Sequence, residues 1–401
     1  MKKMNKTIFW ILVIVIFLGF MIWSLGFCLG GCTITLPEDV TTTTTITSTS
    51  TTTILRWTYV GSPGFSAGGV YDRLSLYVYN DTPYVAYGDV ANSNQATVMK
   101  YNGSTWENVG SAGFSAGAAF TPSLYVYDDT PYVAYIDVVN YSKATVMKYN
   151  GSTWENVGSA GFSAGIADST SLYVYNGTPY VAYRDVANSI KATVMKYNGS
   201  TWENVGSPGF SAGTANYTSL YVYNGTPYVA YADVVNYSKA TVMKYNGSTW
   251  ETVGSAGFSA GGVYDAISLY VYNGTPYVAY GDLNNSCKAT VMKYNGSTWE
   301  NVGSAGFSGG AVLTPSLYVY NGTPYVAYRY HGDPDNYQDH RNSDKATVMK
   351  YNGSAWENVG SAGFSAGAAF TPSLYVCNDT PYVAYQDHGN SDKVTVMKYG
   401  P

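Results

Sequence analysis

Tryptophan recurs at Trp57, Trp106, Trp154, Trp202, Trp250, Trp299 and Trp356, at intervals of 49, 48, 48, 48, 49 and 57 residues. Self-similarity at a fixed period of this size constrains a chain more than composition does, because each copy must then form the same structural unit. One copy, from Ser171 to Gly213, reads SLYVYNGTPYVAYRDVANSIKATVMKYNGSTWENVGSPGFSAG. It contains four short runs rich in Val, Tyr and Thr, which favour strands: a (Ser171 to Asn176), b (Thr178 to Asp185), c (Ala192 to Asn198) and d (Thr201 to Gly206). Asn176-Gly177 and Asn198-Gly199 are the pair that a two-residue hairpin turn prefers, since both positions need positive φ. Strands a and b, and c and d, are therefore expected to be antiparallel hairpins.

Four strands per unit and a period near 48 residues predict an all-β fold, a β-propeller of four-stranded antiparallel blades around a central channel. Strands a, b and c occur seven times, and the last copy ends at Val394 to Tyr399 without its own strand d. The missing strand lies at the other end of the domain. Arg56 to Gly61 (RWTYVG) matches TWENVG, so it can complete the seventh blade in a 3+1 closure and leave no open end to cap. An Asn102-Gly103 turn would place Met99 opposite Trp106 and Met147 opposite Trp154 as core pairs. Glu107, Glu155, Glu203, Glu251, Glu300 and Glu357 share one position on strand d, where charge on an outer edge discourages edge-to-edge pairing.

Three regions follow: residues 1–32, a membrane anchor or signal segment; 33–55, a linker; and 56–401, the propeller. Lys2, Lys3 and Lys6 precede an uncharged run from Ile8 to Gly31, long enough to cross a bilayer, with Glu38 and Asp39 beyond it. The positive-inside rule then puts the rest of the chain on the extracytoplasmic face. Leu29-Gly30-Gly31-Cys32 resembles a bacterial lipobox, which implies lipidation of Cys32; retention as a transmembrane anchor and cleavage as a signal are the other outcomes. Thr41 to Thr53 is Thr or Ser except for Ile46, a composition with too little apolar surface to order itself.

Only 12% of the residues are charged and the net charge is −5, so no basic field recruits nucleic acid. The copies differ most after the GFSAG core of the d to a connection: GVYDRL at Gly69 to Leu74, AAFTP at Ala118 to Pro122, IADST at Ile166 to Thr170, and TANYT at Thr214 to Thr218. The b to c loops vary too, and both connections emerge on the face opposite the Asn-Gly turns. Loops on a rigid scaffold commonly carry binding residues, and this face supplies Tyr71, Asp72, Phe120, Asp168, Tyr217, Tyr264, Asp265 and Phe370 as candidates.

Each ordinary strand b ends in an aspartate, Asp89, Asp137, Asp185, Asp233, Asp282 and Asp387, with Asn three residues on. These carboxylates are candidate ligands for a sugar or Ca²⁺; the competing reading is an Asx-turn in which they hold their own loop. In the sixth copy the b to c loop grows to His331 to Asp344, and with His388 of the next copy it gathers all three histidines. His331, His340, His388 and Asp333 are candidate ligands for a divalent metal, against an acidic solvated insertion or a partner-binding bump.

KYNGSTW resembles the Asp-box turn of sialidase-like propellers, with Tyr, as at Tyr294, where that box has Asp. The resemblance extends to turn geometry and carries over no sialidase residue. As an architecture the chain resembles surface-anchored propellers and propeller lectins, which implies glycan or surface-protein partners. No G-x-S-x-G, H-E-x-x-H or P-loop motif occurs. The expectation is therefore a monomeric, membrane-tethered extracytoplasmic binding module rather than an enzyme, with a spacer protein or a propeller hydrolase as alternatives. Cys287 and Cys377 lie in different blades and are expected to remain unpaired.

Overall fold

The computed structural model describes residues 54–331 and 344–401. The proposed anchor and most of the linker, with Cys32, Asp333 and His340, lie outside the described residues. Among the described residues no helix is long and apolar enough to cross a membrane.

The expected hairpins are present. In the copy beginning at Ala167, strand a is Ala167–Tyr175, b is Thr178–Asp185, c is Lys191–Tyr197 and d is Trp202–Asn204, hydrogen-bonded in that order. The same antiparallel set repeats along the chain as five four-stranded sheets and one eight-stranded sheet. The larger sheet is two such sets joined through a single pair, Lys288 with Ala311. The last set is completed by Arg56–Tyr59, which pairs with Lys393–Gly400, Trp57 opposite Tyr399. The chain is thus a β-propeller repeat protein, and its sets are numbered below as blades in chain order from strand a at Val70–Tyr79.

Burial explains the sequence of each strand. Strand b is central and covered on both faces, so Pro179 to Tyr183 has no exposed side chain and no polar alternation. Its Tyr183 is 1% exposed, and the one polar atom, the hydroxyl, donates to the Met195 sulfur at 3.4 Å. The core lies between blades rather than within them. Tyr132, Ala134 and Val146 of blade 2 form one cluster with Leu172, Val174, Val181 and Met195 of blade 3. A single blade would leave both of its faces in water, so the ring stabilises as a whole.

Polar contacts repeat at each junction. The Trp202 indole stacks on Phe162 of the preceding connection at 3.9 Å and donates to the Val157 carbonyl at 2.7 Å. Ser171 Oγ accepts from the Leu220 N–H of the next blade. On strand a, seven tyrosines (Tyr77, Tyr125, Tyr173, Tyr221, Tyr270, Tyr318 and Tyr375) touch in succession with ring centroids 4.7–4.9 Å apart, and Tyr375 returns to Tyr77. Burial raises the pKa of most of these phenols, and they remain neutral at physiological pH.

Two expectations are corrected. The a to b turn is the two-residue Asn176-Gly177, with φ of 47° and 76°. The c to d turn is two residues longer than expected, because Asn198 Oδ1 accepts from both Ser200 N and Thr201 N and Asn198 N donates to Thr201 O. Trp202 therefore faces Tyr197 and Met195 faces Asn204; likewise Trp106 faces Tyr101 and Trp154 faces Tyr149, not Met99 and Met147. Strand a also begins earlier than expected. The variable residues assigned to a loop are its first residues.

Candidate binding site at the ring mouth

The variable start of strand a is built around a β-bulge. In blade 3, Asp168 pairs with Arg184 and Ser171 with Ala182, so Ser169 and Thr170 stand opposite Tyr183 alone. In blades 1 and 5 the bulge is one residue longer: Tyr71 pairs with Gly88 and Leu74 with Tyr87, leaving Asp72 and Arg73 without partners in the ladder. Every bulge holds a non-glycine residue in the left-handed region, namely Asp72, Thr121, Ser169, Tyr217, Asp265, Thr314 and Thr371, with φ from 44° to 69°. That conformation costs about 1–3 kcal/mol for a β-branched residue and persists only where neighbours hold it.

The neighbours are the adjacent bulges. Asp72 Oδ2 accepts from Thr121 N at 2.9 Å, and Asp265 Oδ2 from Thr314 N at 2.7 Å. Thr170 Oγ1 donates to Thr121 O, and Thr218 Oγ1 to Ser169 O. The mouth is thus a set of re-aimed side chains fixed blade to blade.

Over blades 1 to 4 these side chains line an open cavity of about 690 Å³ formed by Tyr71, Asp72, Arg73, Phe120, Thr121, Ile136, Asp168, Ser169, Arg184, Asn216 and Tyr217. The volume lies within the range of small-molecule sites. Tyr71 and Phe120 pack at 5.1 Å and form an aromatic wall. Arg184 forms an ion pair with Asp168 through Nη2 and donates from Nη1 to Asn216 Oδ1 at 2.9 Å, while its buried Nε has no partner among the described residues. Arg73 has neither an ion pair nor a hydrogen bond from its side chain to a described residue. The cavity combines an aromatic surface with convergent donors and acceptors and a balanced set of charges.

Five of the eight candidates from the d to a segments, Tyr71, Asp72, Phe120, Asp168 and Tyr217, meet in this cavity. Tyr264, Asp265 and Phe370 hold the corresponding places in blades 5 and 7, outside it. Phe370 lies under the Arg329 guanidinium at 4.3 Å, and Arg329 Nε donates to Asp344 Oδ2 at 2.6 Å. Sequence reasoning missed Arg184, although a signal was present. The position after TPYVAY in strand b reads Gly88, Ile136, Arg184, Ala232, Gly281, Arg329 and Gln386, with Asp following in every copy but the sixth, where Tyr330 follows. Those residues pair with the variable residues of strand a, the two glycines lying opposite Tyr71 and Tyr264.

The strand b aspartates are not at this site. Asp89, Asp137, Asp185, Asp233, Asp282 and Asp387 are at most 1% exposed. Asp185 Oδ2 accepts from Asn188 Nδ2 and Thr193 Oγ1, both at 2.8 Å, and Oδ1 accepts from Ala187 N at 3.1 Å. The carboxylate holds its own loop in the manner of an Asx-turn.

The histidine cluster is only partly described. His388 Nδ1 lies 2.9 Å from Asp392 Oδ1, and its ring meets Phe370 edge-on at 5.8 Å. His331 ends its strand at a place paired with Ala311. Among the described residues no group of three His, Cys, Asp or Glu side chains is placed to hold a metal. Cys287 and Cys377 are free thiols, and burial pushes both pKa values up.

No protein-family model matches the chain, and no curated protein matches its sequence. Solved structures with a similar chain path include a protein of unknown function from Dyadobacter fermentans (11% identity, 83% of this chain and 97% of that one, TM-score 0.45). Others are an Aleuria aurantia lectin mutant in complex with Fucα1-6GlcNAc (14%, 76% and 100%, 0.47) and a Trypanosoma rangeli sialidase mutant displaying trans-sialidase activity (12%, 83% and 55%, 0.44). The propeller assignment rests on the strand pairings and the ring of tyrosines themselves.

Proposed function

We propose that the chain is a seven-bladed propeller that serves as a membrane-tethered, extracytoplasmic binding module, and that the mouth cavity of blades 1 to 4 takes a glycan. One observation carries this reading. Strands b, c and d are nearly the same in every copy, yet the side chains that differ in blades 1 to 4 converge on one cavity at the mouth. A spacer would have no use for such localised diversity.

The chemistry of the lining supports a saccharide. Tyr71, Phe120 and Tyr217 offer apolar faces to the C–H side of a sugar ring. Asn216, Ser169 and Arg73 offer donors and acceptors to hydroxyls or to an acidic substituent. Binding without turnover is favoured because both mouth carboxylates are occupied, Asp72 by the Thr121 N–H and Asp168 by Arg184. Tethering follows from Lys2, Lys3 and Lys6 ahead of the apolar run, and extracytoplasmic placement from the same asymmetry.

The test is a glycan array probed with the full chain in detergent and with a variant in which GVYDRL, IADST and TANYT are each replaced by AAFTP. A saccharide signal that the replacement abolishes supports the reading. A signal that survives it, or silence across the array, contradicts it.

A further inference from the structure

The opposite face carries a second, repeated feature. At the junction of blades 2 and 3, the Asn-Gly turns frame a groove of about 500 Å³ whose walls include Tyr132, Lys148, Thr178, Tyr180, Lys196 and Asn198. The same groove recurs between blades 4 and 5, between 5 and 6, and across the ring closure between the last blade and the first, at about 390–460 Å³. At the closure Val60 of the N-terminal strand stands where Val157 stands between blades 2 and 3.

The grooves differ from the mouth in a way that bears on ligand type. Mouth residues change from blade to blade, whereas Thr-Pro-Tyr and Lys-Tyr, which line the grooves, recur in every copy. The tyrosine of Thr-Pro-Tyr packs into the core and needs no ligand to explain it, but the half-exposed lysine does not pack there. Lys100, Lys148, Lys196, Lys244, Lys293 and Lys350 each reach one glutamate on strand d, Lys196 with Glu203 and Lys293 with Glu300 at 3.4 Å, so their charge is balanced and further N–H donors remain; Lys398 at the closure stands opposite Thr58 instead. Neighbouring grooves also share a wall. Tyr277 and Lys293 line both the groove before blade 5 and the groove after it.

We propose that these grooves are repeated subsites for a neutral polysaccharide, one at each blade junction, adjacent enough for one chain to engage several. Size fits one or two sugar rings per groove, since small-molecule sites begin near about 300 Å³. Balanced charge disfavours an anionic polymer, and tyrosine hydroxyls, lysine ammoniums and asparagine amides suit sugar hydroxyls. Identical weak sites gain through effective concentration: once one is filled, the next binds the same chain as an intramolecular event. This proposal does not depend on the mouth.

The experiment passes the full chain in detergent over immobilised dextran, mannan and galactan, with dextran sulfate as the charged arm. Three proteins are compared: wild type, the groove variant Lys196→Met/Lys244→Met/Lys293→Met, and the mouth variant Tyr71→Ala/Tyr217→Ala. Retention on at least one neutral polymer that falls about tenfold or more in the groove variant and persists in the mouth variant supports the proposal. Soluble oligomers of the retained polymer should then compete with wild type more strongly as they lengthen, a readout that needs no variant. Retention on dextran sulfate alone, retention unchanged in the groove variant, loss only in the mouth variant, or competition independent of length overturns it.

Discussion

Trp57 donates its indole N–H to the carbonyl of Val359 at 2.7 Å, a bond spanning 302 positions of the chain. The same side chain stacks on Phe364 at 3.9 Å. Each element has an equivalent at every other junction, so the N-terminal strand closes the ring with the contacts that hold the blades elsewhere. The difference is covalent. In blade 3 strand c runs into strand d through the Asn198 turn, whereas Arg56–Tyr59 is held against Lys393–Gly400 by non-covalent contacts alone.

Trp57→Phe is therefore expected to cost about 1–2 kcal/mol, the price of leaving the Val359 carbonyl without its donor. Trp202→Phe should cost a similar amount at equilibrium. Kinetically the two should differ, because the strand that carries Trp57 has no turn tying it to strand c of its own blade during opening. Urea unfolding followed by stopped-flow fluorescence would show faster unfolding for Trp57→Phe; equal unfolding rates would argue against an opening route through the closing junction.

Thr371 sits at φ 47° with its hydroxyl buried and without a hydrogen-bond partner among the described residues. Thr371→Gly removes both burdens. Against the extra chain entropy of glycine, the expected net result is stabilisation by about 1 kcal/mol, read as a higher melting temperature. Thr121→Gly should gain less, since it also loses the contact between Thr121 Oγ1 and Thr170 Oγ1 at 3.1 Å.

Asp185→Ala should destabilise the fold by about 3 kcal/mol, because Asn188, Thr193 and Ala187 lose their common acceptor. If its role is confined to the loop, the folded fraction of the variant should bind ligand like wild type. Denaturant midpoints together with binding normalised to folded protein separate this from a direct ligand role.

Alkaline pH is a sharper probe than acid. Burial raises the pKa of Tyr87, Tyr135, Tyr183, Tyr231, Tyr280, Tyr328 and Tyr385 above the ordinary value of 10.0. A raised folded-state pKa means the stabilisation is complete below pH 10 and is lost as pH climbs from there toward the folded value, because only the unfolded chain ionises easily. Absorbance at the tyrosinate band should therefore show the buried set ionising in a cooperative step, at pH above 10, coincident with loss of β-sheet circular dichroism. A single smooth titration with the fold intact would contradict this.

Much of the architecture was legible because it depends on local rules. Asn176-Gly177 specifies its turn through two positive φ values, and the match of RWTYVG to TWENVG locates the closing strand. The Asn198 turn was misread by two residues because its geometry is set by a side chain that bonds the backbone, which the Asn-Gly pair alone does not reveal. The mouth was half legible. Tyr71 and Tyr217 stood out as variable, but Thr-Pro and Asp-Ser read as loop residues when they form bulges that continue strand a. Arg184 was hidden inside a strand otherwise made for the core. Asp185 was ambiguous until its burial was known, since a carboxylate that holds its own loop and one that awaits a ligand have the same sequence.

The most direct test of the mouth as the binding site is amide hydrogen exchange of the full chain with and without the strongest glycan from the array. Protection is predicted over 69–74, 118–122, 166–170 and 214–218, where strand a carries its bulges. An unchanged exchange pattern over those four segments under saturating glycan, whatever happens at the turns of the other face, would contradict it.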